Sequence, residues 1–282
     1  MYVYGKGCGM KGQSDCCTIC SGTCVDEARE LAGYRLCWCR NCDFRFAPAA
    51  FDALPDYDEA YSLPAYVQNQ VDVIRHTQDP RGFAQIATYK AFFDHIRPAP
   101  GRSLLDVGCG VGRFCHAAHA SGWHVTGIDI SEAAIQIGAP LASFPLRCES
   151  LSAYRQSAPS VDVVTAFEVV EHLPAPLDFV RQVRSVLSQE GRFFFTVPNW
   201  RCARVQNAAS SDAVPPFHVN FFTEEACRAL LEKAEFRSIG TGIIWVDSLP
   251  TRIRQWPRWT IRHLMRRVRD WGAGIWAAGT VS

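Results

Sequence analysis

Residues 103–114, which read SLLDVGCGVGRF, predict a buried strand, a glycine-rich turn and the start of a helix. Glycine occupies alternate positions of the turn, as Gly108, Gly110 and Gly112. Because glycine has no side chain, the backbone can pass close to a ligand at the carboxyl ends of parallel strands. A dinucleotide fingerprint would require a further glycine where Arg113 stands, so the spacing argues against NAD.

The second predicted strand, residues 123–129, ends in Asp129, seventeen residues after Gly112. A carboxylate at the end of this strand can accept hydrogen bonds from both hydroxyls of a ribose. Ser131 follows as a predicted helix N-cap, and taken alone Asp129 would be a residue at the entry to that helix. Together with the glycine turn, Asp129 indicates a nucleoside ligand.

Strands and helices continue to alternate through the rest of the central region. The predicted elements are a strand at 144–148 that ends before Glu149, a strand at 161–167, a helix at 175–188, a strand at 191–197 and a helix at 223–234. This alternation predicts an α/β fold with a doubly wound, mostly parallel sheet.

Composition narrows the class of protein. The chain has 282 residues, of which 48% are hydrophobic and 20% charged, so a globular protein with one large domain and a small accessory module is predicted. The formal net charge of +1 argues against a general nucleic-acid surface. The sequence has neither a long uncharged apolar segment nor the apolar core of a signal peptide, which predicts a cytoplasmic location.

Cysteines are concentrated near the amino terminus, with eight of the thirteen in the first 42 residues. Two C-x2-C pairs are separated by 18 residues, which is the spacing of a zinc site, and consist of Cys17, Cys20, Cys39 and Cys42. Two such pairs complete a closed tetrahedral shell, so the predicted Zn²⁺ is structural. The alternatives are substitution by Cys24 or Cys37 as ligands, a metal-free knuckle, or a redox cluster.

Five segments follow one another between residues 104 and 236: LLDVGCGVGRF, GIDIS, VDVVTAFEVVEHL, GRFFFTVPNW and HVNFFTEEACRALLEKAEF. As a set they resemble the class I S-adenosylmethionine (SAM)-dependent methyltransferases. The resemblance implies a Rossmann-like, seven-stranded sheet in the order 3-2-1-4-5-7-6, with the last strand antiparallel. It also implies cofactor-binding residues: Asp106, Gly108, Gly110 and Gly112 around the methionine part, Asp129 at the ribose and Glu149 near the adenine. EVVEHL and VPNW further resemble the ubiquinone-pathway O-methyltransferases.

A narrower resemblance covers the amino-terminal part, where YRLCWCRNCDFRFAP is followed by YDEAY. These segments are similar to a subgroup with a cysteine-knuckle zinc ribbon before the methyltransferase domain, associated with sugar, polysaccharide or natural-product methylation. Asp43 replaces the glycine usual in that subgroup. We therefore predict a zinc-ribbon-like module at 1–50, a helical cap or linker at 51–100 and a SAM-binding domain at 101–282.

Two histidines are candidate catalytic residues for a hydroxyl acceptor, because histidine is the side chain best suited to accept a proton near neutral pH. His172 follows the fourth strand of the SAM-binding domain, and His218 lies in the aromatic loop after the fifth. His172 could instead anchor a loop as part of a Glu-His pair. The aromatic residues of this region could stack an acceptor or form a local core, and they are Trp200, Phe217, Phe221 and Phe222.

The segment 250–272 is rich in arginine and tryptophan. Residues 251–271 could form a basic amphipathic helix on the inner face of an anionic membrane. The alternative is an insertion that packs on the sheet, with residues 274–281 as the final strand.

The leading interpretation is methyl transfer to a small-molecule, sugar or polysaccharide-precursor acceptor. A zinc-ribbon rRNA methyltransferase is an alternative that the near-neutral charge disfavours. A non-catalytic scaffold that binds the cofactor is a second alternative. The sequence leaves the oligomeric state open.

Overall fold

The computed structural model describes residues 16–56, 58–59, 71–74, 79–97, 101–202, 206, 213–245 and 274–282. The segment 250–272, with its predicted membrane contact, lies outside the described residues, and so does most of 57–78. The strands are β1 (Cys24–Leu31), β2 (Tyr34–Cys39), β3 (Phe44–Phe46), β4 (Ser103–Val107), β5 (His124–Asp129), β6 (Leu146–Cys148), β7 (Val161–Phe167), β8 (Leu187–Pro198), β9 (Asn220–Phe221), β10 (Arg237–Ile244) and β11 (Gly274–Thr280). The α-helices that lie wholly within the described residues are α1 (Ala87–His95), α2 (Arg113–Ala120), α3 (Glu132–Gly138), α4 (Leu151–Ser157), α5 (Pro176–Val186) and α6 (Glu224–Lys233).

The larger sheet has seven strands in the order β10-β11-β8-β7-β4-β5-β6. Strands β6, β5, β4, β7 and β8 are mutually parallel, and β11 runs antiparallel to both β8 and β10. Counted along this domain, that is the predicted order 3-2-1-4-5-7-6 with the last strand antiparallel. The predicted fold class is confirmed, and the carboxyl ends of β4, β5 and β7 meet at one edge of the sheet.

Two strand boundaries differ from the prediction. The third strand of the domain, β6, begins at Leu146 rather than 144. Pro145 precedes it and has no N–H for the ladder, so pairing of this strand starts after the proline. Strand β8 begins at Leu187, immediately after α5, rather than at 191. An irregularity in its pairing with β7 allows this early start, because Leu187 pairs with Val161 while Arg192 pairs with Val163.

The core lies on both faces of this sheet. Alternating side chains of β8 divide between the faces, since Phe193 and Phe195 belong to one buried cluster and Phe194 to the other. On the second face, Phe92 of α1 is fully buried and its ring meets those of Phe114 and Phe194 edge-on. Helix α1 therefore packs on this face of the sheet through Phe92.

The smaller sheet has four strands in the order β1-β2-β3-β9. Its first three strands form the cysteine-rich module, whereas β9 belongs to the aromatic loop between β8 and α6. β3 pairs with β9 antiparallel, with Arg45 opposite Phe221 and Phe46 opposite Asn220. One sheet thus joins the amino-terminal module to the segment between β8 and α6. Within the described ranges, the structure contains no helix long and apolar enough to cross a membrane.

Candidate active site

The glycine turn after β4 requires glycine on conformational and steric grounds. Gly108, Gly110 and Gly112 all have positive φ values, of 73°, 54° and 86°. A Cβ atom on Gly108 would lie 2.5 Å from Cγ2 of Val169, and a Cβ atom on Gly112 would lie 2.9 Å from Cδ1 of Leu146. The turn is therefore closely packed, with Gly108 against the segment after β7 and Gly112 against β6.

Asp129 lies at the end of β5 and is connected to the turn. Its side chain is only 8% exposed; Oδ2 accepts a hydrogen bond from Gly110 N at 2.8 Å and Oδ1 accepts one from Ser131 N at 2.9 Å. Burial raises the pKa of this carboxyl, although the two backbone donors oppose the shift. Ser131 caps α3 as predicted, because its Oγ accepts from Ala134 N. The structure thus brings together the two parts of the predicted nucleoside site.

Asp106 lies below the turn rather than on its surface. It is buried, its Oδ1 accepts from Thr165 Oγ1 at 2.7 Å, and its Oδ2 accepts from Cys115 Sγ at 3.5 Å. Burial raises the pKa of Asp106 to about 7 despite these hydrogen bonds. Both carboxylate oxygens therefore already have donors within the protein, and Asp106 supports the turn from below.

Two residues beside Asp129 are not among the predicted site residues. Ile130 is 46% exposed although it is a large apolar side chain next to a buried acid. Asp58, from the amino-terminal segment, accepts a hydrogen bond from Ser131 Oγ at 2.7 Å. Glu149 is close to the same place, since its backbone N–H donates to the carbonyl of Asp129 at 3.0 Å. An isoleucine directly after the predicted ribose-binding acid was the available sequence signal for Ile130.

A second group of polar residues follows β7 at the same edge. Glu168 is exposed and has a φ of +54°, an unusual conformation for a residue with a side chain. Thr196 of β8 fixes both the backbone and the side chain of Glu168. The Thr196 carbonyl accepts a hydrogen bond from Glu168 N, and Thr196 Oγ1 donates one to Glu168 Oε1 at 2.7 Å. Val169, the neighbour of Glu168, lies against Gly108 of the glycine turn, so this segment borders the predicted nucleoside site.

Glu171, His172 and His218 come together in space. Each offers one ligand atom within 4.8 Å of the others, and the two imidazole rings meet edge-on with centroids 4.7 Å apart. His172 Nδ1 lies 2.9 Å from the carbonyl of Phe217, which fixes the orientation of that ring. Burial lowers the pKa of His172, so its imidazole is neutral at neutral pH. The structure therefore places both candidate bases at one location.

Glu171 is fully buried, and neither of its carboxylate oxygens has a hydrogen-bond partner among the described residues. Burial, together with the nearby charge of Glu168, raises its pKa well above the usual range. His172 Nε2 lies 4.0 Å from Glu171 Oε1. One carboxylate and two imidazoles form a donor set that could hold a divalent cation.

The aromatic residues of this region form a local core rather than a stacking surface. Trp200, Phe221 and Phe222 are all at most 3% exposed, and the rings of Trp200 and Phe221 pack together. Only Phe217 of the four predicted residues is partly exposed. The structure thus rejects the acceptor-stacking interpretation for the three buried rings, because they fill the junction between the two sheets.

The four predicted metal ligands, Cys17, Cys20, Cys39 and Cys42, form one cluster with all sulfurs within 4.8 Å of one another. The Cys17–Cys42 and Cys20–Cys39 sulfur distances are 3.6 and 3.4 Å. Zn–S bonds of about 2.3 Å in a tetrahedron place the sulfurs about 3.8 Å apart, so the cluster fits a zinc ion. Cys24 and Cys37, the predicted substitute ligands, are not part of it.

Comparisons with known proteins agree with this geometry. The family described as "Methyltransferase domain" matches residues 81–239, more than half of the chain. A ubiquinone biosynthesis O-methyltransferase from Albidiferax ferrireducens is 35% identical over 117 residues, which are 38% of this chain and 46% of that protein. The chain thus spans less than half the length of this curated relative.

Solved structures show the same fold at low sequence identity. A SAM-dependent methyltransferase from Archaeoglobus fulgidus superposes with a TM-score of 0.54 at 18% identity, covering 76% of this chain and 99% of that one. The plantazolicin methyltransferase BpumL in complex with SAH gives 0.51 at 16% identity, covering 80% of this chain and 94% of that one. The fold is that of the class I SAM-dependent methyltransferases. The chain belongs to the methyltransferase domain family.

Proposed function

We propose that this protein transfers a methyl group from SAM to a hydroxyl group of a small-molecule acceptor. One observation carries the proposal: two groups of residues lie at the same edge of the sheet. The first is the hydrogen-bonded pair Gly110 and Asp129, and the second is the cluster of Glu171, His172 and His218. Val169 connects the two groups, because it lies against Gly108. The O-methyltransferase name of the curated relatives supports an oxygen acceptor. A sugar or polysaccharide precursor remains within the proposed acceptor class.

The cofactor half would be formed by residues on β4, β5 and the turns that follow them. Asp129 would accept hydrogen bonds from the ribose hydroxyls, and Ile130 would pack on the adenine, near Glu149. The turn that contains Gly108, Gly110 and Gly112 would border the methionine part, with Asp106 supporting the turn from below. When bound, SAM supplies an electrophilic methyl group attached to a sulfonium.

The acceptor half would be formed by the residues after β7 and before β9. His218 or His172 would take the proton from the acceptor hydroxyl, for which a neutral imidazole is required. The lowered pKa of His172 is consistent with this requirement. Orientation of the acceptor oxygen toward the methyl group can itself contribute about 7–11 kcal/mol of barrier reduction. Glu168 stands between the two halves and would contact the acceptor or the cofactor.

The cysteine cluster would hold one structural Zn²⁺, since four thiolates leave no open coordination position for chemistry. The proposed domains remain 1–50, 51–100 and 101–282. Peripheral membrane contact through 251–271 remains a prediction, which salt-dependent binding to anionic vesicles tests.

The experiment has a binding part and a turnover part. Calorimetry with SAH should show binding to the wild-type protein, and absence of binding would contradict the proposal. Methylation of a panel of phenols, catechols and sugar precursors then identifies the acceptor, with short RNA as a further member of the panel. Binding of SAH without turnover on any member would favour a scaffold, and turnover on RNA alone would favour the rRNA methyltransferase.

A further inference from the structure

The cysteine module and the candidate acceptor half share a β-sheet. Strand β2 carries Cys39, the β2–β3 hairpin carries Cys42, and β3 pairs with β9. The pairing is extended by a hydrogen bond from Ala47 N to the carbonyl of Val219 at 2.9 Å. The strand that leaves the metal cluster therefore lies directly against the residue that follows His218.

The other side of the same segment is attached to the turn after β7. Val219 N donates to the carbonyl of Glu171 at 3.0 Å, and the buried Asn220 Nδ2 donates to the carbonyls of Val170 and Leu173. Thus the backbone beside His218 is fixed on one side by the cysteine module and on the other by the segment that bears Glu171 and His172. A displacement of β3 would change the position of His218 relative to those two residues.

Asp43 is the residue that ties the metal hairpin to this region. It directly follows Cys42 and has a φ of +55°, in the left-handed region that favours glycine. Its Oδ1 accepts from Trp38 Nε1 and Arg45 Nη1, both at 2.9 Å, and its Oδ2 accepts from Arg201 Nη2 at 2.9 Å.

The contacts of Asp43 reach across the junction in two ways. Arg201 follows β8 in the methyltransferase part, and the backbone carbonyl of Asp43 accepts from Thr223 Oγ1, the N-cap of α6, at 3.2 Å. The Asp43 side chain is 22% exposed and that of Arg201 is 35% exposed, so solvent weakens this ion pair only in part. A side chain at a position suited to glycine thus makes bonds that glycine could not make.

We propose that the cysteine module is a positioning element of the acceptor half, in which the metal-bound hairpin and Asp43 together hold β3 and, through β9, set His218 against Glu171 and His172. Asp43 is accordingly a positioning residue, remote from the reacting atoms. The inference rests on the proposed function only for the role of His218 as a proton acceptor. It predicts that loss of the metal or of the Asp43 charge loosens residues 217–223 while the cofactor half keeps its structure.

Hydrogen–deuterium exchange on the full chain tests the coupling directly. Asp43→Asn retains a side chain that tolerates positive φ and removes the charge. In the zinc-loaded Asp43→Asn variant we expect amides of 217–223 to exchange roughly tenfold faster, because local opening sets the exchange rate. Amides of 103–112 should be unchanged and SAH affinity should stay within about twofold. Asp52→Asn, an exposed acid two residues beyond the end of the module, is the matched control and should change nothing.

A second measurement follows the histidine itself. The ring Cε1–H resonance of His218, assigned by its loss in His218→Ala, should shift in Asp43→Asn and after removal of zinc by a chelator, and should not shift in Asp52→Asn. Unchanged exchange at 217–223 and an unchanged His218 resonance in zinc-loaded Asp43→Asn would overturn the proposal, even if the metal-free protein unfolds. If SAH fails to bind the wild-type protein while the coupling is observed, the proposed function falls and the positioning role stands.

Discussion

The backbone N–H of Gly110 donates a 2.8 Å hydrogen bond to Oδ2 of Asp129, a residue 19 positions further along the chain. This bond joins the turn after β4 to the end of β5, so the two parts of the proposed nucleoside site are fixed relative to each other before any ligand arrives. Such preorganisation lowers the ordering cost of binding.

Asp129→Ala should weaken SAH binding by roughly 10- to 100-fold, because hydrogen bonds to a charged group contribute about 1.5–3 kcal/mol. It should also lower the free energy of unfolding, since Gly110 N and Ser131 N lose their acceptor. Calorimetry and denaturant unfolding measure the two effects. Glu132→Gln, an exposed acid in the first turn of α3, is the control. Equal SAH affinity in Asp129→Ala and wild type would refute the ribose assignment.

Gly108→Ala should destabilise the protein and abolish SAH binding, because the new Cβ would meet Val169 at 2.5 Å in a backbone with φ of +73°. Gly122→Ala provides the control, since Gly122 also has positive φ but no other atom lies within 4 Å of the place its new methyl group would take. Gly122→Ala should cost only the conformational strain, of order 1–2 kcal/mol. Thermal unfolding of the two variants separates steric overlap from strain. Equal losses of stability in the two variants would show that the Val169 side chain moves to accommodate the new methyl group.

His218→Ala should lower turnover of a hydroxyl acceptor by about 10²–10⁴-fold, the usual contribution of a general base. SAH affinity should be nearly unchanged, because the ribose contacts come from other strands. His124→Ala, an exposed histidine at the opposite end of β5, is the control. Full turnover in His218→Ala would transfer the role to His172. Full turnover in both His218→Ala and His172→Ala would show that the rate enhancement comes from the proximity of acceptor and cofactor.

The raised pKa of Asp106 predicts a pH dependence of stability. An unfolded aspartate ionises near pH 3.9, whereas folded Asp106 retains its proton until about pH 7. The folded state binds more protons in this window, so the free energy of unfolding contributed by Asp106 should fall as pH rises through it. Subtraction of the Asp106→Asn curve isolates this contribution from those of Asp129 and Glu171. The difference between pH 4 and pH 7.5 should be on the order of 2–4 kcal/mol. A flat difference curve would contradict the assignment.

Protein purified without chelator should contain about one equivalent of zinc per chain, because the cysteine cluster supplies one closed tetrahedral site. Cys39→Ser should lose the metal, whereas Cys24→Ser, outside the cluster, should retain it. Elemental analysis of both variants makes the comparison. Full zinc content in Cys39→Ser would place the metal elsewhere.

Local sequence patterns were sufficient for the glycine turn, for strand 161–167 and for the cysteine pairs, because each depends on residues close together in sequence. Long-range relations were not accessible in this way. Strand β9 is two residues long and has no periodicity, and its pairing with β3 joins segments about 175 residues apart. The contact of Asp58 with Ser131 likewise depends on tertiary packing. The sequence alone could not show whether Phe222 is buried or exposed, since an aromatic residue can either pack in a core or stack on a ligand.

The pairing of β3 with β9 also bears on where this chain can be cut. A fragment that begins at residue 51 would leave the N–H and C=O groups of β9 without their strand partner and would uncover Phe222, which packs on Phe44. An unpaired edge with adjacent apolar rings is a template for association with a second chain. Residue 51 is therefore a poor starting point for an isolated catalytic fragment, which would be expected to aggregate through the newly opened edge.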